Sequence, residues 1–266
     1  MKAVSLTAEI INVGNELLDG RTLNTNLQWL CGRLSRLGYI VERATIVRDD
    51  VDDISSCVRE VLKRGPRWLL ISGGLGPTHD DKTLEGVARA LGVRLRLNRL
   101  AVDMLRRRYE EMKSMGLIAT VELTRERLKM ARIPTGSKPL SNRAGTAPGV
   151  LIEARSTRVV CLPGVPRELE DIFENHITPI MLTESAGRSY ITESLSVKGV
   201  FESYLAPILV ETMKRYPGVY LKSNPKGIED GVSHVVVDFL AEKKDEWKIR
   251  EAMVFLEERI KGMLKS

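Results

Sequence analysis

The 266-residue chain predicts an α/β fold, a doubly wound and mostly parallel sheet followed by a small second α/β domain. Three observations carry this. Over the first two-thirds, short apolar runs alternate with amphipathic stretches at helical spacing. One of those runs, Trp68–Ile71, is apolar throughout rather than alternating, as a strand covered by helices on both faces requires. After Thr183-Glu184-Ser185-Ala186-Gly187, which reads as a linker, the pattern changes to βαββα. The predicted domains are therefore 1–182 and 188–266.

The elements follow in order. Ala8–Val13 is a strand ending at Gly14, and Asn24–Gly38 a helix with Leu27, Leu30, Leu34 and Leu37 on one face and Gly38 as its stop. Tyr39–Val47 is a strand; Asp50–Lys63 is a helix with Ile54, Val58, Val61 and Leu62 inward, closed by Gly65-Pro66. Trp68–Ile71 is a fully apolar strand that runs into a glycine-rich loop, and a helix is expected from Asp80 to Leu91. Arg99–Met130 is polar and helical. Pro134–Gly149 is irregular and too long for a simple connector. Strands at Val150–Glu153 and Arg158–Leu162 lead through Pro163-Gly164-Val165-Pro166 to a helix over Arg167–Leu182. The second domain reads as strands Ile191–Val197, Val219–Lys222 and Val232–Leu240 with helices Glu202–Arg215 and Asp245–Leu264.

Composition narrows the class. With 43% hydrophobic and 29% charged residues the chain buries a core and is not disordered. No run approaches the roughly 18 apolar residues of a membrane span, and Met1–Leu6 show no signal-peptide pattern. Cys31, Cys57 and Cys161 are far apart with no CxxC, which argues against a disulfide framework or zinc site and for a cytoplasmic chain with cysteines packed as small hydrophobes. The net charge of +6 is matched by the excess within residues 94–132, where 11 basic residues face 5 acidic ones. That stretch, with Arg106-Arg107-Arg108, is either a solvated face or an attractor for an anionic substrate or partner. Residues 185–266 carry 13 basic and 12 acidic residues, and Gly227-Ile228-Glu229-Asp230-Gly231 puts acids where an RNA phosphate would sit. Neither nucleic acid nor a membrane is expected as a partner.

The chemistry should lie beyond the carboxyl ends of the strands. Ser72-Gly73-Gly74-Leu75-Gly76-Pro77-Thr78-His79-Asp80-Asp81-Lys82-Thr83 is the most informative segment. Glycines there let backbone N–H groups approach phosphate oxygens, and a helix N-terminus adds its positive end. The acids Asp80 and Asp81 would repel a phosphate unless a divalent cation lies between; the plainer reading is that one of them caps the helix. Gly14-Asn15-Glu16 and Asn24-Thr25-Asn26 follow the first strand, with Glu16 free of any evident structural task and Asn24 either an N-cap or a substrate contact. After the second strand Asp50 or Asp52 suits a cap, leaving Asp49 to reach the pocket. Asn142–Gly149 and Leu162–Glu168 are turn-rich and add Asn142, Gly145, Thr146 and Gly164 as candidates. His79 ranks below Asp81, and His176 and His234 form no metal set with it. No GxSxG or GxxxxGK[ST] occurs, which removes serine-hydrolase and P-loop NTPase readings.

These motifs, in this order, resemble the N-terminal domain of the competence/damage-inducible protein A (CinA) family, within the wider molybdopterin-binding fold of the MoaB/MogA proteins. The resemblance covers about residues 6–180. The tail, with Gly199–Ser203, Tyr216-Pro217 and Ser223-Asn224-Pro225, is similar to the KH-type domain that follows in CinA proteins. The nicotinamide-mononucleotide amidohydrolase domain of many bacterial members has no counterpart in this sequence, so its activity is not carried over. Gly73-Gly74-Leu75-Gly76 matches the GGTG loop that serves molybdopterin adenylylation, Asp81 matches the Asp five residues beyond it, and Asp49 matches a second acid. The departures are Leu75 for Thr, the added Asp80 and the Glu16 motif. They are features of the CinA branch, which the resemblance links to metal-dependent hydrolysis of ADP-ribose to AMP and ribose 5-phosphate. The expectation is a nucleotide pyrophosphatase, with a molybdopterin-binding or adenylylating protein as the alternative. On that expectation Asp81, Asp49 and Glu16 are catalytic, Asp80 and Asp81 hold a divalent metal ion such as Mg²⁺, and Ser72, Gly73, Gly74, Leu75, Gly76, Thr78, Asn24, Asn142, Gly145, Thr146 and Gly164 bind substrate. The resemblance also implies a homo-oligomer.

Overall fold

Trp68, Leu69, Leu70 and Ile71 are wholly buried, each worth on the order of 1.5–3 kcal/mol of burial, and the sheet is assembled around them. The structure is a computed structural model that describes residues 6–186 and 188–265; the expectations for Met1–Ser5, Gly187 and Ser266 lie outside the described residues. The chain runs β1 (Thr7–Val13), α1 (Asn15–Leu18), α2 (Thr25–Arg36), β2 (Ile40–Val47), α3 (Val51–Arg64), β3 (Trp68–Ser72), α4 (Thr83–Leu91) and β4 (Leu95–Leu97). Next come α5 (Arg99–Ser114), α6 (Arg125–Lys129), β5 (Arg132–Pro134), β6 (Lys138–Leu140), β7 (Gly149–Ala154), β8 (Thr157–Leu162) and α7 (Pro166–Ile172). A π-helical turn (Phe173–Ile177) joins α7 to α8 (Thr178–Glu184). Then follow β9 (Tyr190–Lys198), α9 (Glu202–Arg215), β10 (Tyr220–Glu229), β11 (Val232–Glu242), a short 3₁₀ turn and α10 (Glu246–Lys265).

The large sheet has the order β2-β1-β3-β8-β7-β6. β2, β1, β3 and β8 are mutually parallel, while at one edge β7 runs antiparallel to β8 and β6 antiparallel to β7. β9, β10 and β11 form a separate antiparallel sheet in the order β10-β11-β9. Contacts divide the chain into two units, one holding the described residues to Ser35 with Tyr39–Glu184, the other Arg36–Gly38 with the residues from Ser185 on. The boundary falls inside the segment read as a linker. Each unit has its own apolar core, the second built on Val237, Phe239, Leu205, Ile249 and Leu256.

Local chemistry sets the helix ends. Asp50 caps α3, its Oδ1 accepting the Asp52 and Asp53 amides at 2.9 and 3.1 Å, and Gly65 closes the helix at φ 70°. Gly86 lets α4 lie against α3, since a Cβ there would come within 2.5 Å of Ile54 Cγ2.

Three expectations are corrected. The helix after the glycine loop begins at Thr83, with Lys82 as an N-cap that makes no side-chain bond, so Asp80 and Asp81 stand on the loop before it and do not cap it. The helix over Arg99–Met130 is two helices, because Gly116 turns the chain at φ 73° just past α5 and Thr124 starts α6 with a side-chain bond to the Arg127 amide. β10 extends far beyond Lys222, since Asp230 (φ 51°) and Gly231 (φ 77°) make a tight hairpin with β11, and Pro225 is tolerated beside a register shift on an edge strand.

The basic stretch is partly used internally: Arg108 donates to the Gly145 carbonyl at 2.9 Å and pairs with Glu111 at 3.0 Å, while Arg106 pairs with Asp103. Cys161 is buried, which pushes its thiol up to about 12; Cys31 and Cys57 are half-buried with thiols raised by the same cause. No helix among the described residues is long and apolar enough to cross a membrane.

Glu184 closes the large unit. Its side chain, 11% exposed, accepts from Arg67, Arg158, Trp68 Nε1 (2.8 Å) and Tyr39 Oη (3.0 Å). Burial by itself would raise its carboxyl; the donors outweigh that and hold it below the usual carboxylate range. The stabilisation is therefore complete above the ordinary glutamate pKa and is lost as pH falls through the depressed one. Glu184→Gln is expected to cost about 3 kcal/mol in urea unfolding at pH 7, because Arg67 and Arg158 lose their counter-charge. The wild-type advantage should shrink as the pH is lowered below 4; an advantage constant with pH would contradict it.

Candidate functional site

Four parallel strands end at one edge of the large sheet, and β2 and β3 lie on opposite sides of β1, so a crevice opens where the strand order reverses. The loops leaving those strands carry Gly14–Glu16, Arg48-Asp49, Gly73-Gly74 and Pro163-Gly164. They enclose a cavity of about 250 Å³ whose walls include Glu16, Asn24, Asn26, Asp49, Ser72, Gly73, Gly74, Asp80, Asp81 and Gly164.

Gly73 fixes the floor. Its φ is 102°, and a Cβ would lie 2.2 Å from the Val13 carbonyl oxygen, so only glycine fits. Its N–H donates to the Leu162 carbonyl at 3.0 Å and its carbonyl accepts from Thr83 Oγ1 at 2.7 Å. The Gly73 amide therefore continues the sheet and does not face a ligand, which corrects the expectation that it would hold a phosphate. Thr83 also donates its N–H to the Gly74 carbonyl at 3.2 Å, pinning the start of α4 to the loop.

The acids are held differently. Asp49, on the cavity wall, accepts the Asn15 N–H at 2.8 Å through its Oδ2. Asp81 Oδ2 accepts both the Thr78 N–H (2.8 Å) and the Thr78 hydroxyl (2.5 Å), and Asp80 Oδ1 is in contact with the same hydroxyl. A threonine hydroxyl has one proton, so it serves one carboxylate at a time. Its bond, with the loop's own amide, holds the Asp80 carboxyl below the usual range. Thr78 thus organises the acids; it does not line the cavity.

Three amide groups stand out. Asn24 Oδ1 accepts the Leu27 N–H at 3.0 Å, starting α2, while its Nδ2 is buried with no partner among the described residues. Asn26 Nδ2 donates to the Gly164 carbonyl at 2.7 Å and its Oδ1 is equally unpartnered. Behind them Asn12, wholly buried on β1, donates to Ser72 Oγ at 2.9 Å and leaves its own Oδ1 unsatisfied. A buried amide atom without a partner costs about 1–3 kcal/mol, and two of these three residues, Asn24 and Asn26, line the cavity, whereas Asn12 does not. Asn24 is therefore both cap and cavity wall, where the sequence left the two as alternatives. Asn12 and Asn26 were missed; the only signal was a polar residue inside the apolar run Ala8–Val13 and a second Asn two positions after the cap.

The remaining candidates lie elsewhere. Leu75 is 4% exposed and belongs to the core, because its side chain points inward from the loop. Gly76 and Asp81 border a neighbouring cavity of about 180 Å³ that shares Gly74 and Asp81 with the first and is lined by Lys129 and Arg132. Asn142 is consumed in folding its own loop: its Oδ1 accepts the Ala144 and Gly145 amides (3.1 and 2.7 Å), and its Nδ2 donates to Ala147 O and Glu168 (2.9 and 2.6 Å). Gly145 lies against the Glu168 carboxylate, and neither it nor Thr146 lines the cavity. His79 does not line it either.

No group of three His, Cys, Asp or Glu side chains among the described residues is disposed to hold a metal ion. The carboxylates offered are nevertheless the right donors for a hard cation, and Asp80 and Asp81 form an adjacent pair at the rim. They fit an ion that takes one or two carboxylates and fills its shell with water and substrate oxygens, and they do not fit a closed protein-only cage.

Residues 9–183 match the family described as "Probable molybdopterin binding domain". The chain belongs to this family. A protein of Sulfurisphaera tokodaii is 43% identical over 244 residues, covering 92% of this chain and 89% of its own. A protein of Saccharolobus solfataricus is 44% identical over 231 residues, 87% and 81% respectively. A crystal structure described as the protein CinA with unknown function, from Thermoplasma acidophilum, is 40% identical with a TM-score of 0.59, covering 65% of this chain and 98% of that one. The CinA resemblance is thereby shown. None of these names points to ADP-ribose hydrolysis.

The Gly73 geometry gives a direct test. Gly73→Ala is expected to lower stability by more than about 2 kcal/mol in urea unfolding, through strained φ and the clash with Val13. Gly164→Ala, whose Cβ would meet Gly73 Cα at an ordinary 3.5 Å, should stay within about 1 kcal/mol of wild type. Equal stabilities for the two variants would contradict the account.

Proposed function

We propose that the cavity binds a phosphorylated pterin of the molybdopterin class. The observation that carries this is the character of its walls: four carboxylates, unpartnered amide atoms of Asn24 and Asn26, and no basic side chain. A bare phosphate would be repelled there. A pterin ring presents N–H and NH₂ donors that carboxylates accept and ring acceptors that an amide donor meets, so Asp49, Glu16, Asn24 and Asn26 suit its edge. Leu17 and Leu23 on the same wall, Leu23 being 81% exposed, offer an apolar face for the ring. The phosphate end would then lie along Gly74 toward Lys129 and Arg132, which line the adjoining cavity. The family description supports the same reading.

A second reading is supported by the Asp80–Asp81 pair: cleavage of a nucleotide pyrophosphate such as ADP-ribose with a divalent cation. Asp80 and Asp81 would hold that ion, which supplies charge neutralisation between phosphate oxygens and carboxylates. Asp49 would orient or deprotonate the attacking water, and Thr78 would keep Asp81 in place.

One panel separates the two. Molybdopterin, AMP and ADP-ribose are titrated onto the full chain with and without Mg²⁺, and AMP release is followed in parallel. Under the first reading molybdopterin binds, and Asp49→Asn and Asn24→Ala each weaken it at least about tenfold, equivalent to ~1.4 kcal/mol. Absence of molybdopterin binding removes that reading. Under the second, ADP-ribose yields AMP only with Mg²⁺, and Asp81→Asn costs at least about tenfold in rate; no turnover with any metal removes it.

A further inference from the structure

A second cavity of about 510 Å³ lies away from the site described above, between the C-terminal ends of α3 and α4 and the β7–β8 hairpin. Its floor is apolar, formed by Leu62, Leu91, Val93 and Ile152. Around that floor stand Arg59, Lys63 and Arg155, none with a carboxylate partner among the described residues; Arg59 Nη1 donates only to Ser55 Oγ at 2.7 Å. The one acid on the wall, Glu153, is already paired with Arg158 at 2.9 Å. The cavity thus carries uncompensated positive charge over a greasy base.

Two of the three bases have an ordinary explanation: Lys63, in the last turn of α3, complements its negative pole, and Arg59 bonds Ser55 one turn earlier on the same helix. Arg155 has none. It occupies the first position of the two-residue turn between Ala154 and Thr157 at φ 57°, a conformation that favours glycine. A long basic side chain at a turn position that suits glycine points to a task for the guanidinium, and the cavity is what that side chain borders.

We propose that this cavity is a second binding site, for a small anion with an apolar body: an aromatic phosphate or carboxylate. The apolar part lies on Leu62, Leu91 and Ile152, and the anionic head is met by Arg155, with Lys63 and Arg59 adding charge. This site is independent of the reading given to the acid-lined cavity.

The test uses the full chain and four probes: phenyl phosphate, benzoate, inorganic phosphate and benzyl alcohol, each titrated by calorimetry at low and high salt. The expected result is saturable binding of phenyl phosphate or benzoate that weakens with salt, with inorganic phosphate and benzyl alcohol at least tenfold weaker. Which of the two anions binds tighter identifies the head group. Lys63→Gln and Arg155→Gly should each lower that affinity at least fivefold, whereas Glu16→Gln in the other cavity should leave it unchanged. The urea midpoint of Arg155→Gly should be no lower than that of wild type, so loss of binding cannot be assigned to unfolding. Four results overturn the proposal: no saturable binding of either anion, equal binding of inorganic phosphate, affinity unchanged in both basic-residue variants, or a self-association of the chain that buries Arg155 and excludes the probes.

Discussion

The acid-lined cavity depends on Gly73 lying against the Val13 carbonyl oxygen. That approach is possible only without a Cβ, and it brings the end of β3 into register with the ends of β1 and β8. Once the backbone is held there, Thr83 ties α4 to the turn, and the loop between them swings Asp80 and Asp81 to the rim. The glycine loop is therefore first a packing device. Its Gly73 amide is spent on the sheet, and binding falls to the side chains around it.

Those side chains give the cavity an unusual electrical balance. Carboxylates come from three separate segments, after β1, β2 and β3, while Lys129 and Arg132, from the excursion between α4 and β6, border the adjoining cavity. A ligand that spans both must carry donors at one end and negative charge at the other. Asn24 and Asn26, each with a buried amide atom that has no partner among the described residues, stand on the wall of the acid-lined cavity.

Much of the fold was legible in the chain. β3 is apolar on both faces, which already requires helices above and below; α3 announces itself with Asp50 before it and Gly65 after it. The βαββα order of the second unit followed from its periodicity, although the reach of β10 did not, because the Asp230-Gly231 hairpin competes with the turn signals of Pro225 and Gly227. The Arg99–Met130 stretch misled for a simple reason: polar helical residues give no periodicity strong enough to show a break at Gly116.

For the site, sequence alone determined that acids and glycines gather at the carboxyl ends of parallel strands, because strand direction and the motifs following each strand are local properties. It also determined the family, through motifs in fixed order. Only the tertiary structure decided which of those residues meet. Asn142 looked like a ligand contact and proved to be the staple of its own turn, Leu75 went into the core, and Asn26 came to the cavity wall, a placement that no pattern encodes. The physical reason is that a hydrogen bond's partner is set by how distant segments pack, whereas the propensity to turn, cap or bury is carried by each residue and its neighbours.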